Sequence, residues 1–311
     1  YINTVSQDSD NFIATISTDG IRANICGSVE DQSKNKEVFQ TFHSLIAKYL
    51  KNGVDVVAEA TNITMKSRRS ILNVIKGIDC EKVCVVIVKP IGECKKDNID
   101  REHPVPGYVI DKQARKFQIP FLEEGWDEIK FVDHIHNKDK HNYRLETTWV
   151  PEIYNDFDQK NPYHMESLGK HMTDAYDFSK KIHNDYSVLV ATNHDMGKLY
   201  TQTFDENGVA HYYGHENIGA YMMLVYEVAN QHSLFVNHNI GDIAFYINYH
   251  MLPFQWKPIS ECDNKWIKIM GHKKYENLWS LHIADLVASK REKGLSEALK
   301  AKRGFDNEFD L

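Results

Sequence analysis

Six residues in the later part of the chain are of the types that hold divalent transition metals: His164, His194, Asp195, His215, His250 and Asp285. Imidazole nitrogens and carboxylate oxygens suit such ions, and ligands spread from residue 164 to residue 285 must come from several elements, not one finger-like loop. The centre is Asn193-His194-Asp195-Met196-Gly197-Lys198. An adjacent His-Asp pair presents a nitrogen and an oxygen together, and its carboxylate can bridge two ions. Hydrolysis of a phosphoester at neutral pH needs an activated water and a neutraliser for the phosphoryl oxygens, which one or two cations supply. The expected chemistry is metal-dependent phosphoester hydrolysis.

These residues need helices to position them. Helical stretches are predicted at 163–182, 186–197, 214–231, 239–250 and 274–291, with Phe, Tyr, Leu and Met facing inward. Asp285 has apolar neighbours Ile283, Ala284, Leu286 and Val287, which point it into a packed region. His171, His183, His211, His232, His238 and His272 read as ordinary surface or core histidines. Glu216 reads as a support for a ligand or as the first-turn acid of a helix.

With that order of residues, the region from 160 to 290 resembles the HD-domain phosphohydrolases, a helical superfamily whose ligands run His, His-Asp, Asp. The resemblance implies His164 as the first ligand, His194 and Asp195 as the pair and Asp285 as the closing carboxylate. It implies His215, in Tyr213-Gly214-His215-Glu216, and His250, in Asn248-Tyr249-His250-Met251, as ligands of a second ion. Lys198 would contact a substrate phosphate. Mixed His and carboxylate ligation suits Mn, Fe, Ni, Co or Zn.

Residues 1–133 alternate strands with helices and predict a doubly wound parallel sheet. Strands are expected at 11–16, 54–58, 82–88 and 128–132. Helices are expected at 34–51, from Thr64 to Gly77, and at 107–118. Ser17-Thr18-Asp19-Gly20-Ile21-Arg22 follows the first strand and Ala58-Glu59-Ala60-Thr61-Asn62 ends the second. Together these segments resemble P-loop kinases of the polynucleotide-kinase type. The resemblance implies Asp19 as general base on an acceptor hydroxyl, Arg22 as the holder of the acceptor's phosphate, and Arg101 in a lid over ATP and Mg. Two features depart from that pattern. Glu59 stands where an Asp is expected, and no G-x-x-x-x-G-K-[ST] phosphate cradle occurs in the sequence. The cradle is expected upstream of Tyr1, so the kinase half as given is expected to transfer little phosphate.

The expected organisation is a kinase-like domain at 1–133, a polar linker at 134–162 and a helical domain at 163–311. A net charge of −7 argues against a protein that coats nucleic acid through bulk positive charge, though not against an enzyme that grips one strand end. Five cysteines without metal or disulfide spacing fit reduced thiols and a cytoplasmic location. No apolar run is long enough to span a bilayer.

The two resemblances together imply an enzyme that heals RNA or DNA ends, with a separate ligase as a possible partner. One half would act on 2′,3′-cyclic or 3′-phosphate ends and the other on 5′-hydroxyls. Alternatives stay open: a hydrolase of free nucleotides beside a degenerate kinase-like binding module, or a small-metabolite kinase joined to a phosphatase.

Overall fold

A computed structural model describes residues 12–135, 152–162, 164, 166–182, 185–230, 239–256 and 262–290. His183, His232, His238 and most of the expected linker lie outside these residues. The chain divides into two compact units, 1–82 and 83–311.

In the first unit, β1 (Ile13–Ser17) leads into α1 (Thr18–Cys26), and α2 (Asn35–Lys51) is followed by β2 (Asp55–Glu59) and α3 (Met65–Val74). β1 and β2 pair in parallel, Ile13 opposite Asp55 through Ser17 opposite Glu59. The spacing of Val38, Phe42 and Ile46 lays them along one face of α2, where they form the core with Ile16, Ile21, Ile71 and Ile75. Thr64 and Ser67 form a reciprocal capping box that fixes the start of α3.

In the second unit, β3 (Val83–Val88) and β4 (Glu128–Asp133) also pair in parallel, Val83 opposite Glu128. Between them lie α4 (Ile91–Ile99) and α5 (Gly107–Ala114). Then come α6 (Leu168–Lys181), α7 (Asp185–Ala191), α8 (Lys198–Thr201), the hairpin β5 (Thr203–Phe204) and β6 (Ala210–His211), α9 (His215–Ala229), α10 (Asp242–Tyr249), α11 (Cys262–Met270) and α12 (His272–Ala288). α12 is buried along most of its length, from Tyr275 to Asp285, because apolar side chains surround its axis on every face. It packs against α6 and α10, whose buried residues include Leu168, Met172 and Ala175 and Ile243, Ala244 and Ile247 respectively.

The expected division near residue 133 falls inside this second unit, and there is a physical reason. Segment 115–121 is bonded into the helices. Asn248 of α10 accepts from Ile119 N–H at 2.9 Å and donates to the Phe117 carbonyl at 3.1 Å. Tyr249 donates to the Ile119 carbonyl, and Tyr221 of α9 donates to the Lys89 carbonyl. Phe121 packs edge-on against Phe245 and Tyr249. Where one doubly wound sheet was expected, the described residues form two separate parallel pairs, one in each unit. The helices α1, α4 and α11 and the short β5–β6 hairpin are further elements, not anticipated from the sequence pattern.

Candidate metal centre

His194 and Asp195 lie in the tight turn between α7 and α8. Gly197 lets that turn approach α9: a Cβ there would stand 2.0 Å from the His215 carbonyl oxygen and 2.8 Å from Gly219 N. Gly214, with φ of 78°, takes the left-handed conformation that starts α9 and swings His215 inward.

Two sets of ligand atoms converge. One is His171, His194 and Asp285, the other Asp195, His215 and His250, and within each set the atoms lie no more than 4.8 Å apart. All six residues are buried. Asp195 joins the sets with one oxygen on each side. Its Oδ2 is 3.2 Å from His171 Nε2 and 3.4 Å from His194 Nε2, while its Oδ1 is 3.1 Å from His215 Nε2 and 3.6 Å from His250 Nε2. Asp285 Oδ1 reaches His171 Nε2 at 3.2 Å.

Backbone carbonyls fix the tautomers of three imidazoles. His194 Nδ1 donates to Ala191 O at 2.8 Å, His215 Nδ1 to Tyr212 O at 2.8 Å and His250 Nδ1 to Ile247 O at 2.7 Å. A carbonyl only accepts, so each Nδ1 carries a proton and each ring turns its Nε2 toward the cluster. His215 Nε2 and His250 Nε2 then face each other at 3.3 Å, with the Asp195 carboxylate oxygen beside them. Two imidazole nitrogens and a carboxylate oxygen thus converge at one buried point. A divalent cation fits this donor set, and the set around His171 has the same composition of two imidazoles and a carboxylate.

Burial raises the Asp195 carboxyl, but Lys198, His194 and hydrogen bonds from the imidazoles outweigh it and hold the group well below its usual range. Burial likewise raises Asp285, and the hydrogen bond and charge of His171 more than reverse it. Burial lowers His171, yet bonds to Asp195 and Asp285 bring it up to about 9. A protonated His171 is the charge that lets two buried carboxylates stand side by side in the protein alone.

His171, not His164, therefore belongs to the cluster, and this corrects the sequence expectation. α6 begins only at Leu168, so His164 precedes the helix. Its Nε2 lies 3.3 Å from Lys198 Nζ, and its ring packs edge-on against His171 at 5.0 Å. Burial and the Lys198 charge push its imidazole down to about 3. The signal for His171 was available, because it shares the inward face of α6 with Leu168, Met172 and Ala175. Gln159, fully buried, was not anticipated either. It accepts from Lys198 Nζ at 2.9 Å. Lys198 is itself buried, 2.6 Å from Asp195 Oδ2 and 5.5 Å above the Tyr212 ring. Glu216 stands in the first turn of α9 with Oε2 at 3.5 Å from His215 Nδ1.

In the first unit, Asp19 and Arg22 share the start of α1. Arg22 donates to Asp19 Oδ1 at 2.8 Å and to Asn35 Oδ1 at 3.2 Å, leaving the Asp19 side chain 64% exposed. Arg101 belongs to the second unit, exposed just past the end of α4.

Residues 3–120 match the AAA domain family. Over 118 residues the chain is 30% identical to the L-seryl-tRNA(Sec) kinase of Methanococcus maripaludis, a stretch covering 38% of this chain and 45% of that protein. The first part of the chain is thus similar to P-loop kinase-like AAA domains. Both ligand sets lie beyond the matched residues.

Proposed function

We propose that the helical part of this chain is a metal-dependent phosphohydrolase of HD type, and that the kinase-like part phosphorylates a hydroxyl on the same class of substrate, a nucleic-acid end. The observation that carries the first half is Asp195, which turns one carboxylate oxygen to each of two sets of side chains, three of whose four imidazoles are held from behind by backbone carbonyls. His171, His194, Asp285 and Asp195 would hold one divalent ion, with Asp195, His215 and His250 holding another. Cations bound there supply Lewis-acid charge neutralisation and an activated water. Lys198, held against Asp195 and Gln159, keeps a positive charge at the edge of the cluster, where a phosphoryl oxygen would need it.

For the kinase-like part, ATP and Mg are the implied cofactors. Asp19 is exposed enough to take a proton from an acceptor hydroxyl, and Arg22 is held beside it to bind the acceptor's phosphate. Together the two activities would convert a 5′-hydroxyl and a 2′,3′-cyclic or 3′-phosphate into the 5′-phosphate and 3′-hydroxyl that a ligase needs. The matched relative supports a second reading of the acceptor, because its name records a kinase acting on L-seryl-tRNA(Sec). Offering 5′-hydroxyl RNA and seryl-tRNA side by side separates the two.

The test of the hydrolase is direct. The chelated protein is expected to be inactive on p-nitrophenyl phosphate and on RNA 3′-phosphate ends, and to recover with Mn, Fe, Co, Ni or Zn. Asp195→Ala removes an oxygen from both sets and is expected to lower the rate by roughly three decades or more. Activity that survives chelation, or that is unchanged in Asp195→Ala, overturns the assignment.

A further inference from the structure

Beside the ligand sets lies a surface the hydrolytic chemistry does not use. Tyr213 is 73% exposed and Tyr200 55% exposed, although both are large aromatic residues next to buried site residues. Tyr200 follows Lys198 by two positions, and Tyr213 precedes His215 by two.

Alternation along the extended segment from Ala210 to Tyr213 explains the exposure. Ala210 and Tyr212 turn inward, and Tyr212 donates to the Gln159 carbonyl while its ring lies under Lys198. His211 and Tyr213 turn outward and stack on each other, centroids 5.4 Å apart and planes 3° from parallel. β6 and the turn that follows it thus offer one face to Lys198 and an aromatic face to solvent.

A cation joins this aromatic face. Arg115 donates from NH1 to the Tyr213 carbonyl at 3.0 Å and from NH2 to the Tyr200 carbonyl at 3.4 Å. Carbonyls orient a guanidinium without cancelling its charge, and among the described residues Arg115 has no carboxylate partner. The nearby acids are engaged. Asp205 accepts from the backbone of Asn207 and Val209 and lies 3.4 Å from His211, while Glu216 accepts from Asn217.

Resting on the phosphohydrolase reading, we infer that Tyr200, His211, Tyr213 and Arg115 form a platform for single-stranded nucleic acid, on which the bases behind the terminal phosphate stack. Exposed aromatic faces beside a fixed, uncancelled cation are what bases and backbone phosphates require, whatever the sequence. The platform lies on the outward side of the segment whose inward side carries Tyr212. It therefore serves nucleotides behind the one whose phosphate lies at Lys198, which makes a strand, not a free nucleotide, the preferred substrate.

The experiment compares kcat/KM for a ten-nucleotide RNA bearing a 3′-phosphate with kcat/KM for p-nitrophenyl phosphate, in the metal-loaded protein and in Tyr213→Ala, Tyr200→Ala and Tyr213→Trp. Loss of one stacked base is expected to lower the strand's value roughly tenfold more than the small substrate's, chiefly through KM, with Tyr213→Trp restoring it. Binding of the same RNA, labelled with fluorescein at its 5′ end, is followed by anisotropy and is expected to weaken roughly tenfold in Tyr213→Ala. Thermal melting checks that the exposed substitutions leave the fold intact. Equal losses on both substrates, or a strand that binds Tyr213→Ala as it binds the parent protein, overturn the platform. Absence of metal-dependent hydrolysis of p-nitrophenyl phosphate would sink the hydrolase reading instead, and the anisotropy arm would still decide whether the strand binds.

Discussion

The two candidate sites treat charge in opposite ways. In the first unit, Arg22 is buried with both terminal guanidinium nitrogens paired: Asp19 and Asn35 accept from them, and Asp19 itself faces solvent. In the second unit, Asp195 and Asp285 are buried among imidazoles, three of which donate from Nδ1 to backbone carbonyls. A salt-linked pair at a surface is worth little by itself and is found in many proteins without a function. A buried convergence of lone pairs costs stability unless a cation completes it, so it is the more informative of the two. Chemistry that waits for a second substrate can be stored in an exposed pair. Chemistry that waits for an ion must be stored inside.

That contrast can be broken most severely at the buried site. His171→Ala is expected to remove a ligand and lower hydrolysis by roughly three decades, with metal content falling in step. His164→Ala should keep its metal, since His164 meets Lys198 and not the ligand set. Elemental analysis of the two variants decides which histidine belongs, and the reverse pattern would restore the order read from the sequence.

A smaller effect is expected at the exposed pair. In a chain extended upstream by a strand and a G-x-x-x-x-G-K-[ST] turn, Asp19→Ala should lower ATP-dependent phosphorylation of a 5′-hydroxyl by about two to four decades. Hydrolysis by the same variant should be untouched. A kinase indifferent to Asp19 would leave the pair a structural feature of α1.

The smallest expected effect sharpens the lesson about buried charge. Glu227, at the end of α9, is buried and accepts from the backbone N–H groups of Gly241 and Ile243 at the start of α10. Burial pushes its carboxyl up to about 8 from an ordinary 4.5, against those hydrogen bonds. The folded chain therefore holds a proton that the unfolded chain has lost between these values. Its contribution to stability is full below about pH 4.5 and is lost as the pH rises through about 8. Glu227→Gln keeps an acceptor oxygen and abolishes the titration. Its melting temperature should match the parent near pH 4.5 and exceed it at pH 9 by about 2–4 °C, the shift produced by each kcal/mol in a chain of this size. A constant difference across that range would mean the carboxyl is ionised throughout.

What could be read from the sequence depended on how local the signal was. β3 was legible because Val83 to Val88 is an unbroken apolar run, and α2 because Val38, Phe42 and Ile46 repeat at helical spacing. His194, Asp195, His215, His250 and Asp285 were singled out by type and order, and the structure brings all five together. His171 was missed because resemblance pointed to the first histidine in the region, although its place on the inward face of α6 distinguished it. The β5–β6 hairpin, two residues in each strand, is too short for an alternation to register. Gln159 and Asn248 could not have been chosen in advance, because each matters through partners more than thirty positions away.

The bonds from Asn248 and Tyr249 to Phe117 and Ile119 separate two ideas that usually coincide, the unit of descent and the unit of folding. Kinship with the AAA family runs from residue 3 to residue 120, whereas compactness breaks after residue 82. The last third of the inherited segment has thus been adopted by the helices that carry the ligands. Asn248 stands two residues before His250, so the backbone of the kinase-like segment helps to set where His250 lies. Any exchange of the kinase-like part for another must bring along an edge that fits Asn248.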